Sequence, residues 1–182
     1  MKLTLPMIVV GLLWSFTAYG QHSLTVKEVK FDGIFGAAVN TSSNVQTIYC
    51  LLGLGYFLAP ESDNIDVIIA KWIEDHPNAR IIPVYTFGPI ATDDKSSTMT
   101  YCWVSDKEEN LNIWLVKQGC VHGQNLQYPT KEIKKQMGMD QLDNNSYERV
   151  HINDSEYQKF IQLAKDATTY AFENKLGIWK VK

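Results

Sequence analysis

The chain has 182 residues, of which 45% are hydrophobic and 20% charged, and its formal net charge is −3 at pH 7. This composition is that of an ordinary globular domain and excludes a wholly disordered chain. The mildly acidic balance also lacks the strong positive field on which non-specific nucleic-acid binding depends, so nucleic acid is not a favoured partner.

Residues 1–20 have the order of a secretory signal peptide. Lys2 is followed by an apolar run from Leu3 to Phe16 and then by small residues at Ala18 and Gly20. The run is short for a membrane span, so retention as an uncleaved anchor is the less favoured alternative. We therefore expect cleavage after Gly20, a secreted or periplasmic location, and one mature domain over 21–182 with no transmembrane segment.

The rest of the chain alternates between strand and helix patterns. The clearest helix is amphipathic, because Ile65, Ile69 and Trp72 fall on one face at helical spacing. Short apolar runs before and after it have the length and composition of strands. In chain order the predicted elements are paired strands over 24–39, a buried strand over 45–54, the helix from Ile65 to Ile73, strands over 79–87 and 98–104, a short helix over 111–118, and a last helix from Ser155 to Phe172. This order is α+β, and it suits a small curled sheet or barrel.

The two remaining stretches differ sharply from each other. Residues 123–154 are polar, with only scattered apolar positions, and are interpreted as an extended loop containing one or two helical turns. The chain then ends on large apolar residues, Ile178 and Trp179. Because free ends fray unless they are held, this pair predicts that the end of the last helix docks on the core.

Two motifs carry a resemblance to a known family. The segments LNIWLVKQG at Leu111–Gly119 and AFENKLGIW at Ala171–Trp179, together with the order of elements, resemble the staphylococcal nuclease (thermonuclease) family. The resemblance implies a five-stranded OB-type β-barrel with a helix between strands 3 and 4, a short helix after strand 5 and a C-terminal helix. Compared with that family, residues 123–154 are longer than the usual loop and are expected to include an insertion.

The same resemblance gives the terminal apolar residues a structural role. Leu176, Ile178 and Trp179 are expected to seal the space between the terminal helix and the barrel. A cofactor-binding role for Trp179 is not favoured.

Hydrolysis of a phosphodiester in the manner of this family needs Ca²⁺ held by carboxylates, a glutamate that acts on water, and two arginines that bind the phosphate. The resemblance places Cys50 and Ser97 at the two arginine positions. It places Gly55, Tyr56 and Leu58 at the positions of the metal aspartate, the threonine and the glutamate. This chain is therefore expected to be a degenerate member that lacks the catalytic residues.

The absence of charge around the predicted third strand does not depend on the alignment. Residues 45–60 contain no Asp, Glu, Lys or Arg, so no register of that strand can supply a metal ligand or a base. We therefore expect no catalytic residues, no bound metal and no cofactor.

Two further sets of residues are candidates for a site or for cross-links. His122 and Tyr128 follow the Leu111–Gly119 motif, where the resemblance places the wall of the nucleotide pocket, and they are expected to line a remnant cleft. The cysteines are Cys50, Cys102 and Cys120. In an exported chain an odd number leaves two alternatives open, one disulfide with a thiol or buried free thiols.

The favoured function is that of an exported, non-catalytic binding module whose ligand is a protein, an oligosaccharide or an oligonucleotide, with 123–154 as candidate contact surface. One alternative is a secreted Ca²⁺-dependent phosphodiesterase or nuclease with a non-standard site built from Asp93, Asp94, Lys95 and Arg149. A second alternative is a structural protein of the cell envelope.

Overall fold

A computed structural model describes residues 24–38, 47–53, 61–91, 93–129, 135 and 147–180. The fold is α+β. Its strands and helices are β1 (Val29–Asp32), β2 (Phe35–Ala38), β3 (Thr47–Cys50), α1 (Ile65–Asp75), β4 (Arg80–Gly88), β5 (Thr98–Asp106), β6 (Glu109–Asn110), α2 (Leu111–Lys117), β7 (Tyr147–Val150) and α3 (Asp154–Glu173). The described residues also include two short 3₁₀ elements, which we call the first 3₁₀ turn (Gly123–Leu126) and the terminal 3₁₀ turn (Gly177–Trp179).

The strands form one mixed sheet in the order β1-β2-β3-β5-β4-β7, with β6 paired to β5. Neighbouring strands are antiparallel except β3 and β5, which are parallel and place Cys50 beside Tyr101. Over the described ranges the sheet is not closed into a continuous barrel. An isolated antiparallel bridge between Thr25 and Arg80 joins the segment before β1 to the start of β4. The implied five-stranded barrel is therefore not confirmed, whereas the α+β class is.

The predicted helices are confirmed because each has one apolar face to bury. In α1 the side chains of Ile65, Ile69 and Trp72 are buried, and the helix stops at Asp75, just before Pro77. The strand predicted over 45–54 is shorter than expected, since β3 ends at Cys50. Beyond it the Gly53 amide donates to the Asn125 carbonyl at 2.7 Å, so the chain leaves the sheet against the first 3₁₀ turn.

One buried amide fastens α2 to two strands. Asn112 is fully buried, and its Oδ1 accepts a hydrogen bond from the Val104 amide at 2.9 Å. Its Nδ2 donates to the carbonyl of Cys102 at 3.0 Å and to the carbonyl of Leu51 at 2.5 Å. The side chain thus satisfies backbone groups on β5 and at the end of β3 that would otherwise be buried without a partner.

The segment interpreted as an extended loop contains a helical turn, as predicted, and a strand that the prediction did not include. The first 3₁₀ turn lies at its start and β7 near its end, where Tyr147–Val150 pairs antiparallel with β4. All residues of β7 are exposed, so backbone pairing forms this strand without burial of an apolar face. Just after it, the His151 amide donates to the Val84 carbonyl at 2.9 Å, and Nε2 of His151 lies 2.8 Å from Oγ1 of Thr86.

The end of the chain docks where α2 ends. The Ile178 amide donates to the Gly119 carbonyl at 2.8 Å, and Gly119 and Gly177 both have positive φ angles, 71° and 50°. The two backbones approach so closely that a side chain at either glycine would collide with the other segment. The ring of Trp179 packs edge-on against His122 and Phe172. The docking of the chain end is confirmed, and these contacts run to the turn after α2 and to α3. The seal between the terminal helix and a barrel stays a prediction.

A search of the described helices for one long and apolar enough to cross a membrane gave no candidate. The expected signal peptide, residues 1–20, lies outside the described residues, as does most of 123–154 beyond Pro129.

Replacing Asn112 with alanine should destabilise the fold by about 3 kcal/mol, because several buried backbone groups lose their partner together. Urea unfolding followed by circular dichroism measures the loss. The matched control is Asn78→Ala, an exposed amide that accepts a hydrogen bond only from the Lys27 ammonium at 3.1 Å. The control should change stability by less than about 0.5 kcal/mol. A loss below about 1 kcal/mol for Asn112→Ala would contradict the role assigned to this residue.

The attachment of β7 should weaken as the pH falls. Burial lowers the pKa of His151 below its ordinary value of 6.5, and the charge of Arg149 lowers the pKa further. Because the folded state favours the neutral ring, this stabilisation is fully present above pH 6.5 and is lost as the pH falls through the lower folded-state pKa. Urea unfolding measured between about pH 7.5 and about pH 5 should show a larger loss in the free energy of unfolding for the natural chain than for His151→Gln. If the free energy of unfolding fell equally with pH in the two proteins, the role assigned to His151 would be wrong.

Candidate functional site

The position that the resemblance assigns to the first arginine lies in an apolar and nearly filled part of the sheet. Cys50 is 1% exposed and lines a cavity of about 10 Å³, which holds one water molecule at most. The other lining residues share an apolar or aromatic character and are Leu52, Gly53, Tyr85, Phe87, Met99, Tyr101 and Pro129. We call this place the apolar mouth. A neutral thiol among aromatic rings offers no ligand to a hard cation.

The second assigned position, Ser97, fastens the turn between β4 and β5. Its Oγ accepts hydrogen bonds from the amides of Ile90 and Ala91, at 3.2 and 3.0 Å, and donates to the Asp94 carbonyl at 2.7 Å. The residue is 5% exposed, so its hydroxyl is fully occupied within the turn. Ser97 therefore has a structural role that an arginine could not share. The remaining assigned positions, Gly55, Tyr56 and Leu58, lie outside the described residues.

The residues of the alternative site belong to two elements of the described chain, the β4–β5 turn and β7. Asp93, Asp94 and Lys95 share the β4–β5 turn, where Oδ1 of Asp94 accepts from the amide and the hydroxyl of Ser96 at 2.9 and 2.6 Å. These hydrogen bonds lower the pKa of Asp94. Arg149 lies on β7, opposite Thr86. Among the described residues no group of three or more His, Cys, Asp or Glu side chains is placed to hold a metal ion.

A larger cavity lies between the first 3₁₀ turn and α3. We call it the polar groove; its volume is about 300 Å³. It is lined by residues from both elements, namely His122, Gly123, Gln124, Gln127, Ile161, Ala164, Lys165, Thr168 and Thr169. Its size falls at the lower end of the range for small-molecule sites.

The two residues of the predicted remnant cleft, His122 and Tyr128, have different surroundings. His122 lines the polar groove, whereas Tyr128 is not among the residues that line it. The ring of Tyr128 packs on Tyr85 and Tyr157, with centroid distances of 5.7 and 4.4 Å. Tyr128 follows the groove residue Gln127 directly in sequence, and a shared cleft for the two residues stays a prediction.

Close backbone approach builds the floor of the polar groove. The Gly123 amide donates to Oγ1 of Thr168 at 3.2 Å, and the same hydroxyl donates to the Ala164 carbonyl at 2.8 Å. A Cβ at Gly123 would lie 2.7 Å from that carbonyl, so only glycine lets the turn pack this closely on α3. These two hydrogen bonds hold the side chain of Thr168 in the floor of the groove. The other polar side chains of the lining are not part of this arrangement.

Most groove residues were not predicted, because nothing in the sequence distinguishes them from solvated surface. Lys165 and Thr169 fall on the polar side of an amphipathic helix, where charged and hydroxyl residues are ordinary. Gln124 and Gln127 belong to a polar stretch that was interpreted as loop. The one signal in the sequence was the position after the Leu111–Gly119 motif, which pointed to His122 and Tyr128, and of these two His122 lines the groove.

The three cysteines are free and buried. In the parallel register Cys50 lies beside Tyr101, so Cys102, the next residue, points to the opposite face of the sheet. Burial raises the pKa of Cys50 to about 12 and of Cys120 to about 11, and raises the pKa of Cys102 well above its ordinary value. The sequence left open either one disulfide with a thiol or buried free thiols, and the structure has buried free thiols.

No protein-family model matches the chain, and no curated protein matches it in sequence. The resemblance to staphylococcal nuclease therefore depends on the two motifs and the order of elements alone.

The native thiols should resist alkylation. With raised pKa values they carry almost no thiolate at about pH 8, so iodoacetamide should label them on the order of a hundredfold more slowly than in guanidinium chloride. Ser155→Cys places a thiol at an exposed position in the first turn of α3 and serves as the reactive control. Mass spectrometry of both proteins gives the label count with time. Fast labelling of any natural cysteine in the folded chain would contradict the burial.

Proposed function

We propose that the protein is an exported, non-catalytic domain of the staphylococcal nuclease-like OB type, and that it acts by binding a ligand. The observation that carries the proposal is the apolar mouth, because it contains Cys50, which the resemblance assigns to a position where hydrolysis would need an arginine. Cys50 stands there with a raised pKa, among aromatic and aliphatic neighbours, in a cavity of about 10 Å³.

The order of elements supports the barrel assignment. In the structure α1 joins β3 to β4, α2 follows β5 and α3 precedes the terminal 3₁₀ turn, which is the order that the resemblance implies. The bridge between Thr25 and Arg80 brings the segment before β1 beside β4. Together with the path β1-β2-β3-β5-β4, this bridge supports a five-stranded, partly open barrel, with β7 as an added strand on the outer edge of β4.

The energetics of phosphate chemistry argue against residual hydrolysis. A dianionic transition state needs a cation and fixed donors aimed at the developing charge, and removal of one such donor typically costs about 10²–10³ in rate. The resemblance assigns these tasks to positions that here hold a neutral thiol and a hydroxyl engaged in a turn, Cys50 and Ser97. Loss of all these charged groups would leave no measurable nuclease activity.

The polar groove is the best candidate for the binding surface among the described residues. It is open, larger than the apolar mouth, and lined by side chains that can both donate and accept hydrogen bonds. It lies at the start of the 123–154 segment that the sequence already favoured as a contact surface. A protein, an oligosaccharide or an oligonucleotide remains the ligand class, and the acidic net charge of −3 disfavours the last of these.

A nuclease assay on the mature chain tests the absence of catalysis. With excess Ca²⁺, plasmid and single-stranded DNA should stay intact, and the double variant Asp93→Asn, Asp94→Asn should behave like the natural chain. Chelation of Ca²⁺ should change nothing. Rapid Ca²⁺-dependent digestion that disappears in the double variant would overturn the proposal and establish the alternative site in the β4–β5 turn.

A further inference from the structure

We propose that the polar groove binds an acidic saccharide, meaning a sugar ring whose hydroxyls are joined by one carboxylate, as in a uronic acid. This inference deepens the proposed binding function and rests on it. It is carried by Lys165, which lines the groove and forms no ion pair within the described residues, and by the carboxamides of Gln124 and Gln127, which make no hydrogen bond there.

The charge of the groove is opposite to that of the whole protein. Lys165 lines it together with His122 and forms no ion pair in the part of the chain that the structure describes. The described lining residues include no Asp or Glu, although the chain as a whole is acidic. An ammonium group without a protein carboxylate favours a ligand that brings its own anion.

The hydrogen-bonding groups of the groove match hydroxyls. Gln124 and Gln127 each present a carbonyl acceptor and an NH₂ donor, and neither side chain is engaged in a hydrogen bond within the described residues. A carboxamide can donate to one sugar hydroxyl and accept from its neighbour. The hydroxyl of Thr169 donates to the Lys165 carbonyl at 3.1 Å and keeps its acceptor capacity.

The floor of the groove is suited to the apolar face of a sugar ring. Ile161 and Ala164 are buried on α3, and the backbone of Gly123 packs directly on the Ala164 carbonyl beside them. Because Thr168 ties Gly123 to Ala164, this floor is set before any ligand arrives. A preformed floor reduces the ordering cost of binding.

An oligonucleotide fits the groove less well. Single-stranded nucleic acid is held by basic tracks with aromatic rings on which bases stack, and none of the described lining residues is Phe, Tyr or Trp. The imidazole of His122 is already packed edge-on against Trp179 at 4.4 Å between ring centroids. One lysine also neutralises too few phosphates for a long backbone.

Calorimetric titration of the mature chain with glucuronic acid and its β-linked dimer tests the inference. Glucose is the neutral counterpart, inorganic phosphate the anion without a sugar ring, and a short oligothymidylate the nucleic-acid probe. The protein variants are Lys165→Gln and its matched control Lys159→Gln, an exposed lysine on α3 that does not line the groove. Lys165→Arg tests whether a positive charge alone restores binding.

The acidic sugars should bind, glucose should bind at least about tenfold more weakly, and Lys165→Gln should reduce the affinity for the acidic sugars about tenfold. Lys159→Gln should match the natural chain, and Lys165→Arg should recover most of the affinity. Equal binding of glucose and glucuronic acid, phosphate binding as tight as that of the acidic sugars, or oligothymidylate binding lost in Lys165→Gln would each overturn the ligand class. So would equal effects of the two glutamine substitutions, or no binding of the acidic sugars at all.

Failure of this titration is distinguishable from failure of the proposed function. If the acidic sugars do not bind but DNA stays intact with Ca²⁺, only the ligand class is wrong and the non-catalytic assignment stands. If DNA is digested, the proposed function itself is wrong, whatever the groove binds.

Discussion

The position of α2 depends on the buried amide of Asn112, which replaces missing strand partners where β3 ends and β5 continues. An amide satisfied at both its oxygen and its nitrogen tolerates one orientation of the helix, because a shift would leave polar groups unpaired in the core. The long helix α3 packs on α2 and on the first 3₁₀ turn. The hydrogen bonds of Asn112 fix α2, and α3 packs on α2, so they also help to position the helix that forms one wall of the polar groove.

The apolar mouth and the polar groove have opposite chemistry. The apolar mouth is small and its lining is apolar and aromatic, so a cation gains nothing there. The polar groove is open, and its lysine and carboxamides are not engaged by other protein groups in the described residues. Hydrolysis of a phosphodiester needs charged groups that are held in fixed positions and shielded from water. Ligand binding needs polar groups that are exposed and not already paired within the protein. The contrast supports binding over hydrolysis as the proposed function.

The fold could be predicted wherever burial imposes a period on the sequence. Helix α1 was found from Ile65, Ile69 and Trp72, and the strands on either side of it from short apolar runs. Strand β7 was missed because all its side chains are exposed and it forms through backbone pairing with β4. In the groove only His122 was foreseen, since Lys165 looks like any solvated lysine on a helix. Pairing partners and facing surfaces are properties of the assembled chain, and no local pattern records them.

The terminal tryptophan shows how the motifs and the groove are related. Trp179 reaches its position because Gly119 and Gly177 allow two backbones to touch, and its ring then supports His122 at the edge of the groove. Both motifs that carry the family resemblance therefore end in packing contacts behind the groove wall. The side chains proposed to contact the ligand, such as Gln124 and Lys165, lie outside those motifs. The residues that build the scaffold are therefore different from those that would select a ligand. A resemblance in the scaffold motifs does not restrict which ligand the groove residues could bind.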